Sequence, residues 1–183
     1  MKYLLESIAK LGVPPDRDKD LKRLIGFQHS GFNLINEVNA LRPEAVLDAG
    51  CGHNFFKGKI DNLIGLDVVD HGTNDMTISV QDATFENNMF DVILALGNLT
   101  YDTREEIMLD LAQLVKWLKP GGHLIVRARL HQFQSDEHWF QWQGSDIGIF
   151  SDIFNLQLTK GPVLDQNNEI PGLQRYCWWW RKM

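Results

Sequence analysis

Apolar residues recur at helical spacing in some segments of this chain and form short continuous runs in others. Two early stripes predict amphipathic helices, at Leu4, Ile8 and Leu11 and then at Leu34, Ile35, Val38 and Leu41. The first helix is expected to end at Pro14-Pro15, because proline cannot continue a helix. Apolar runs that end in Asp48 and Asp67 predict strands. This alternation favours an α/β fold.

The second half of the chain continues the alternation. Asp102, with Glu105 after it, predicts a helix start, and Pro120-Gly121 predicts the end of that helix. Its buried stripe is predicted at Ile107, Leu111, Leu114, Val115 and Leu118. A later helix is indicated by Ile147, Phe150 and Phe154, and a terminal strand pair by residues 156–164 and 173–181. In the last strand, a period of two predicts one face with Tyr176, Trp178 and Trp180 and another with Cys177 and Trp179.

The most informative segment joins the first predicted strand to a glycine-rich turn. Residues 46–54 read V-L-D-A-G-C-G-H-N, and the next apolar run ends in Asp67. Glycine permits positive φ and close approach of the backbone to a ligand. A carboxylate accepts two hydrogen bonds from vicinal ribose hydroxyls. The segment therefore predicts a pocket for an adenosine-type ligand.

The spacing within the turn separates two kinds of nucleotide site. A dinucleotide fingerprint requires G-x-G-x-x-G, but the third glycine position is Phe55. Asp48, just before the turn, suits a cationic ligand better than a diphosphate. Here the chain resembles the class I S-adenosylmethionine-dependent methyltransferases, whose first motif is D/E-x-G-x-G. Asn54, at the place of a further family glycine, can also adopt left-handed geometry.

Later motifs of the same family follow in order. Asp67 resembles the ribose-binding acid of the family, and residues 79–83 resemble its third-strand motif. Residues 90–97 resemble the fourth strand and the loop after it, and residues 118–126 resemble the L-K-P-G-G turn before strand five. The resemblance implies a three-layer α/β sandwich, with a seven-stranded, mostly parallel sheet that contains one antiparallel strand. It also implies S-adenosylmethionine as cofactor and S-adenosylhomocysteine as product. The implied cofactor-binding residues are Asp48, Gly50, Cys51, Gly52, Asp67, Asp82, Ala83 and Leu96.

The chain departs from the family in the short intervals between Asp48, Asp67 and Asp82. These intervals predict that the helices after the first two strands are very short or absent. The chain is therefore expected to be a small, trimmed member of the family.

Composition bounds the organisation and the partners. With 183 residues, 44% of them hydrophobic, one domain over 1–183 is expected: an N-terminal helical cap (1–41), a cofactor-binding core (42–130), and a substrate segment with the C-terminal strand pair (131–183). A net charge of −6 favours a small-molecule acceptor and does not support nucleic acid. Two cysteines and the lack of a signal or spanning segment indicate a cytoplasmic protein without membrane contact. No pattern indicates an oligomeric state.

The loop after the fourth strand bears on the acceptor. Residues 96–101 read L-G-N-L-T-Y, without the prolines that enzymes of exocyclic base amines carry there. Tyr101 is a candidate catalytic or substrate-contacting residue, or else an ordinary packed loop residue, and the same alternatives hold for Asn98.

The segment just beyond strand five holds the other catalytic candidates. His131 is the first choice of general base, which matters if the acceptor is a hydroxyl or a protonated amine. A metal site of His131, Asp136 and His138 lacks supporting spacing, so no metal is expected. Arg127 and Arg129 either bind a substrate anion or pair with acids on a covering helix. Trp139 and Trp142 are candidates for a lid or a base-stacking wall.

The sequence thus predicts a methyltransferase with an unidentified acceptor. The alternatives are a nucleic-acid methyltransferase and a non-catalytic nucleoside-binding relative. Aminopropyl transfer and nicotinamide redox chemistry are further alternatives with weaker support. Loss of Asp67 or filling of the glycine turn would indicate the non-catalytic relative, and neither is seen.

Overall fold

A computed structural model describes residues 30–100, 103–130, 140–164 and 175–183. Its helices are α1 (Leu34–Ala40, after a 3-10 turn at Ser30–Asn33), α2 (Arg104–Trp117) and α3 (Gly144–Phe154). Its strands are β1 (Val46–Ala49), β2 (Leu63–Asp67), β3 (Met76–Thr77), β4 (Phe90–Ala95), β5 (Leu118–Arg129), β6 (Leu156–Leu164) and β7 (Arg175–Lys182). In this part of the chain, no helix is both long and apolar enough to cross a membrane.

The strands form one seven-stranded sheet in the order β3-β2-β1-β4-β5-β7-β6. All pairs from β3 to β5 are parallel, whereas β7 pairs antiparallel with both β5 and β6. The predicted fold class, with one reversed strand inserted near the edge, is confirmed. The division into cap, core and substrate segment stays a prediction.

Both faces of the sheet are covered, so the sheet residues alternate between two apolar layers. On one side α1 contributes Leu34 and Val38, which pack with strand residues that include Val92, Ile125 and Trp179. On the other side α2 and α3 cover a larger layer, which includes Leu47, Ile93, Leu124, Val126, Trp178 and Trp180. The two predicted faces of β7 are therefore confirmed, because Trp179 and its neighbours Trp178 and Trp180 lie on opposite sides of the sheet.

The second of the predicted lid tryptophans is a core residue. Trp142 is fully buried, and its ring lies 5.1 Å from that of Trp178 and 5.3 Å from that of Phe150. Leu130 and Trp142 form an isolated β-bridge, which brings Trp142 next to the end of β5. The lid prediction is wrong for Trp142, because its ring is buried against Trp178 and Phe150. Trp139 lies outside the described residues.

Helix α2 begins one residue later than predicted. Its N-cap is Thr103, whose Oγ1 accepts a hydrogen bond from the Glu106 amide (3.3 Å), while Glu106 Oε2 accepts one from the Thr103 amide (3.1 Å). Asp102 lies outside the described residues. The predicted end at Pro120 is also too late. The helix ends at Trp117 because Leu118 already pairs with Phe90 in the sheet.

The predicted trimming of the fold is confirmed. Within the described residues, the connections from β1 to β2 and from β2 to β3 contain turns and no helix. The Asp75 carboxylate ties these connections together, since it accepts hydrogen bonds from the Gly65 amide and Lys57 Nζ at 2.8 Å each, and one from Asn54 Nδ2 at 3.4 Å. Asn54 has φ 55°, the left-handed geometry that the sequence permits. These polar contacts hold the two loops together without a helix. The predicted helix at residues 4–11 lies outside the described residues.

Candidate functional site

The glycine turn after β1 is tied to the end of β2. The amides of Gly50 and Cys51 both donate to the Leu66 carbonyl, at 2.8 and 3.0 Å. Gly50 has φ 76°, and a Cβ there would lie 2.6 Å from Asn98 Cβ. Gly52 has φ 53° and faces open space. The turn therefore packs against the loop after β4 through Gly50 and leaves room for a ligand above Gly52.

Asp67 holds the turn from the tip of β2. Its Oδ2 accepts a hydrogen bond from the Gly52 amide, and its Oδ1 accepts one from the Val69 amide, both at 2.9 Å. Each carboxylate oxygen has a second lone pair for another donor. The side chain keeps 14% of its surface exposed, so a ligand at the turn can reach it.

Two histidines that the sequence analysis missed lie beside Asp67. His71 Nε2 is 4.0 Å from Asp67 Oδ1, and the His71 and His53 ring centroids are 4.5 Å apart. They come from the loops after β2 and β1, respectively. No local pattern signals their meeting, because it depends on how the two loops fold over the strand ends.

Asp48 is buried at the end of β1, on the α1 side of the sheet. Burial raises its pKa to about 7. The Arg127 guanidinium lowers the pKa because it favours the ionised form, and the nearby Asp67 raises it by a smaller amount. Arg127 is only 3% exposed, and its Nη2 donates to the Leu96 carbonyl at 3.0 Å. The ends of β1, β4 and β5 therefore share a buried acid–base cluster, which the period-two pattern of each strand alone does not reveal.

The third-strand motif is less closely joined to the turn. Asp82 is exposed, and its Oδ2 accepts a hydrogen bond from Ser79 Oγ at 2.6 Å. The Ala83 amide, predicted to face an adenine ring, donates to the Ser79 carbonyl at 3.0 Å. Ala83 itself is buried in the α2 layer, which also contains Leu66. The predicted adenine contacts of Asp82 and Ala83 stay predictions.

The loop after β4 is held in place from two sides. Asn98 packs on Gly50, and its amide nitrogen and oxygen are buried without a hydrogen-bond partner. Trp142 Nε1 donates to the Leu99 carbonyl at 2.6 Å, and the Phe140 amide donates to Thr100. Gly97, beside Leu96, has φ 147° and faces open space. Tyr101 and His131 both lie outside the described residues.

Cys51 contributes to the turn through its backbone. Its thiol is buried, and burial together with the nearby acids raises its pKa to about 12. A thiol held protonated in this way is not a nucleophile. Among the described residues, no group of three His, Cys, Asp or Glu side chains has the arrangement of a metal site.

Comparisons with known proteins agree with this geometry. No family model matches the chain. A phosphoethanolamine N-methyltransferase of Triticum aestivum is 30% identical over 115 residues, which are 50% of this chain and 23% of that protein. Among solved structures, a 1,6-didemethyltoxoflavin-N1-methyltransferase of Burkholderia thailandensis superimposes with a TM-score of 0.71 at 15% identity, over 90% of this chain and 83% of its own. The N-methyltransferase NodS of Bradyrhizobium japonicum WM9, solved with S-adenosylhomocysteine, gives 0.65 at 16% identity, over 91% and 98%.

The chain has the class I methyltransferase fold. The family resemblance is thereby confirmed at the level of the fold, and the comparisons agree with the predicted enzyme class and cofactor. The chain spans about a quarter of the length of its curated relative, which is 23% covered.

The segment after the glycine turn also argues against a dinucleotide site. A pyrophosphate binds at the N-terminus of the helix that follows the glycine turn. Residues 51–62 contain turns and no helix, and Phe55 is partly buried at the position of the third glycine. The structure therefore offers no helix end for a diphosphate at this turn.

Replacing Gly50 with alanine is expected to destabilise the protein by about 2 kcal/mol, because alanine is strained at positive φ and its Cβ meets Asn98. Gly52→Ala is the matched control. It carries the same kind of backbone strain but meets no atom within 4 Å, so a loss of about 1 kcal/mol is expected. Urea unfolding of both variants measures the difference. Equal losses would mean that Asn98 moves aside without cost.

Proposed function

We propose that the chain is an S-adenosylmethionine-dependent methyltransferase with a small-molecule acceptor. The observation that carries the proposal is the hydrogen bond from the Gly52 amide to Asp67, which holds a carboxylate beside an open glycine turn. The residues proposed to bind the cofactor are those implied by the sequence: Asp48, Gly50, Cys51, Gly52, Asp67, Asp82, Ala83 and Leu96.

The chemistry of these residues fits the cofactor. Asp67 has lone pairs left for the ribose hydroxyls, and Gly52 and Gly97 leave open space for close approach. Asp48 supplies a buried carboxyl group whose ionised form a cationic ligand would favour. When bound, S-adenosylmethionine supplies an already activated methyl group. The protein's main contribution is then to hold an acceptor in line with that group and to exclude water.

We retain His131 and Tyr101 as proposed catalytic residues. Both belong to segments that follow strands at their carboxyl ends, where open α/β sheets bind their ligands. A base would remove a proton from a hydroxyl or ammonium acceptor, whereas an acceptor with a free lone pair needs only correct placement.

A small-molecule acceptor is favoured over nucleic acid. The curated relative is named for phosphoethanolamine, and the B. thailandensis structure contains 1,6-didemethyltoxoflavin. The net charge of −6 also opposes binding to a phosphate backbone. A cytoplasmic location is part of the proposal, and both cysteines are free thiols.

Calorimetric titration with S-adenosylmethionine, S-adenosylhomocysteine and NAD tests the proposal. The two methionine compounds are expected to bind, and saturation at a hundredfold excess over Kd should raise stability by about 2.7 kcal/mol. Binding of NAD without the methionine compounds would refute it. Methyl transfer is then measured with radiolabelled cofactor on metabolite and oligonucleotide panels, and transfer to oligonucleotides alone would favour the nucleic-acid alternative.

A further inference from the structure

The loop after β2 holds His71 close to the carboxylate of Asp67. The His71 amide donates to Asn74 Oδ1 at 3.1 Å. Asn74 Nδ2 in turn donates to the Met76 carbonyl at 3.0 Å and to Thr77 Oγ1 at 2.9 Å. Thr77 pairs with Asp67 in the sheet. The backbone of His71 is therefore tied to the strand beside Asp67, so the distance between the two side chains is set by the fold.

The gap between these two side chains has the width of one bridging atom. His71 Nε2 is 4.0 Å from Asp67 Oδ1, which is too long for a direct hydrogen bond. A hydroxyl oxygen with a hydrogen bond of about 2.8 Å to each of them would span this gap with an angle of roughly 90° between the two bonds. The side chains of His71 and Asp67 are 21% and 14% exposed, so a ligand can reach both.

The two side chains also match the hydrogen-bonding groups of a hydroxyl. The Asp67 carboxylate accepts one hydrogen bond at each oxygen, from the Gly52 and Val69 amides, and each oxygen keeps a second lone pair. An ionised carboxylate only accepts, so a hydroxyl in the gap donates its proton to Asp67. Its oxygen then accepts from an N–H group, which an imidazole offers at Nε2 in one neutral tautomer and in the protonated form.

A second histidine brings this pair next to the open side of the glycine turn. His53 directly follows Gly52, which faces open space. The ring centroids of His53 and His71 are 4.5 Å apart, with an angle of 53° between the ring planes. The Phe55 ring lies 5.7 Å from that of His53 on the same loop. The rings therefore stand beside the place proposed for the sugar of an adenosine-type ligand.

Two simpler roles for His71 explain less of this geometry. As an ion-pair partner of Asp67 it would contribute little, because the pair is partly exposed and lacks a hydrogen bond. As a packing partner of His53 it would need only a ring, which phenylalanine also supplies. A bridging hydroxyl uses the donor at Nε2 and the remaining lone pair of Asp67 together.

We propose that His71 is a further cofactor-binding residue, whose Nε2 donates to a ribose hydroxyl while the same hydroxyl donates to Asp67 Oδ1. The site then selects a ribonucleoside over the deoxyribonucleoside that lacks this hydroxyl. The inference rests on the proposed function, because it places the ribose of the cofactor at Asp67.

S-adenosylhomocysteine and its 2′-deoxy and 3′-deoxy analogues test the bridge by calorimetric titration into the full chain. The three ligands carry the same charges, so ionisation of Asp48 affects them equally. The wild type is expected to bind at least one analogue about 30-fold more weakly, because the carboxylate and the imidazole lose their shared partner. The analogue with the larger loss identifies the bridging hydroxyl. Equal affinity for all three ligands would overturn the proposal.

His71→Phe keeps a ring beside His53 but removes the nitrogen donor. It should bind S-adenosylhomocysteine about tenfold more weakly than the wild type, and the analogue without the bridging hydroxyl with an affinity within about twofold of the wild type. His71→Gln returns an N–H donor and should recover about threefold of the loss. His53→Phe changes only the neighbouring ring and should leave the ratio of the two affinities unchanged. An equal loss for both ligands in His71→Phe would mean that the ring is structural and would overturn the proposal.

Failure of this inference and failure of the proposed function remain distinguishable. If S-adenosylhomocysteine does not bind the wild type, the proposed function fails, and this inference fails with it. If it binds the wild type but His71→Phe weakens both ligands equally, only the assignment of His71 fails. His71→Ala, at the same partly exposed loop position, repeats the comparison if the phenylalanine variant does not fold.

Discussion

Replacing Asp67 with alanine is expected to weaken S-adenosylhomocysteine binding about 100-fold, since the two proposed hydrogen bonds from ribose hydroxyls to its carboxylate would be lost. The variant also loses the acceptor for the Gly52 and Val69 amides, so the glycine turn is no longer held beside the ligand. Both effects act on the same complex. Calorimetry of wild type and variant measures the change in Kd.

Asp70→Ala is the matched control for this prediction. Asp70 is exposed in the same loop, and its Oδ1 accepts a hydrogen bond from the Gly72 amide at 2.7 Å. Asp70 is not among the proposed cofactor-binding residues, so the affinity of Asp70→Ala for S-adenosylhomocysteine should differ from that of the wild type by less than about threefold. A loss for Asp67→Ala no larger than that of the control would remove Asp67 from the binding site.

Replacing Asp48 with asparagine is expected to stabilise the protein above pH 7. The pKa of Asp48 is raised from 3.8 to about 7, first by burial. Between these values the folded state binds more protons than the unfolded state, so the stability of the wild type falls as pH rises and levels off above about 7. The asparagine variant does not titrate and lacks this fall.

The variant should therefore match the stability of the wild type at pH 4 and exceed it by about 2 kcal/mol at pH 8. A pKa shift of three units alone would give ~4 kcal/mol. The expected gain is smaller because Arg127 loses its acidic neighbour in the variant. Urea unfolding at several pH values measures it. Asp61→Asn, at an exposed acid, makes the same charge change at the surface and should show no such profile. The prediction would be contradicted if the wild type became more stable relative to Asp48→Asn between pH 4 and pH 7.

The same residue links cofactor binding to pH. A cationic ligand favours ionised Asp48, so binding below pH 7 must release a proton. Affinity is expected to fall by up to about tenfold per pH unit below 7 in the wild type, and to be weaker but flat in Asp48→Asn. Calorimetry in two buffers of different ionisation enthalpy detects the released proton directly.

Much of the fold follows from local patterns in the sequence. Apolar runs that end in Asp48 and Asp67 mark β1 and β2 correctly, and alternation in β7 places Trp178 and Trp179 on opposite faces. The start of α2 shows the limit of such patterns. Asp102 with Glu105, and Thr103 with Glu106, are overlapping capping sequences, and the helix uses the second.

The sequence by itself determined the order of strands and helices, the glycine turn and the acid at the end of β2, because each depends on neighbouring residues and on periods of two or 3.6. Only the tertiary structure brought Arg127 beside Asp48, packed Asn98 on Gly50, buried Trp142, and paired Glu37 with Lys160. These contacts join residues from separate strands, helices and loops. They depend on strand register and on how the layers pack, and neither is encoded in any short segment of the chain.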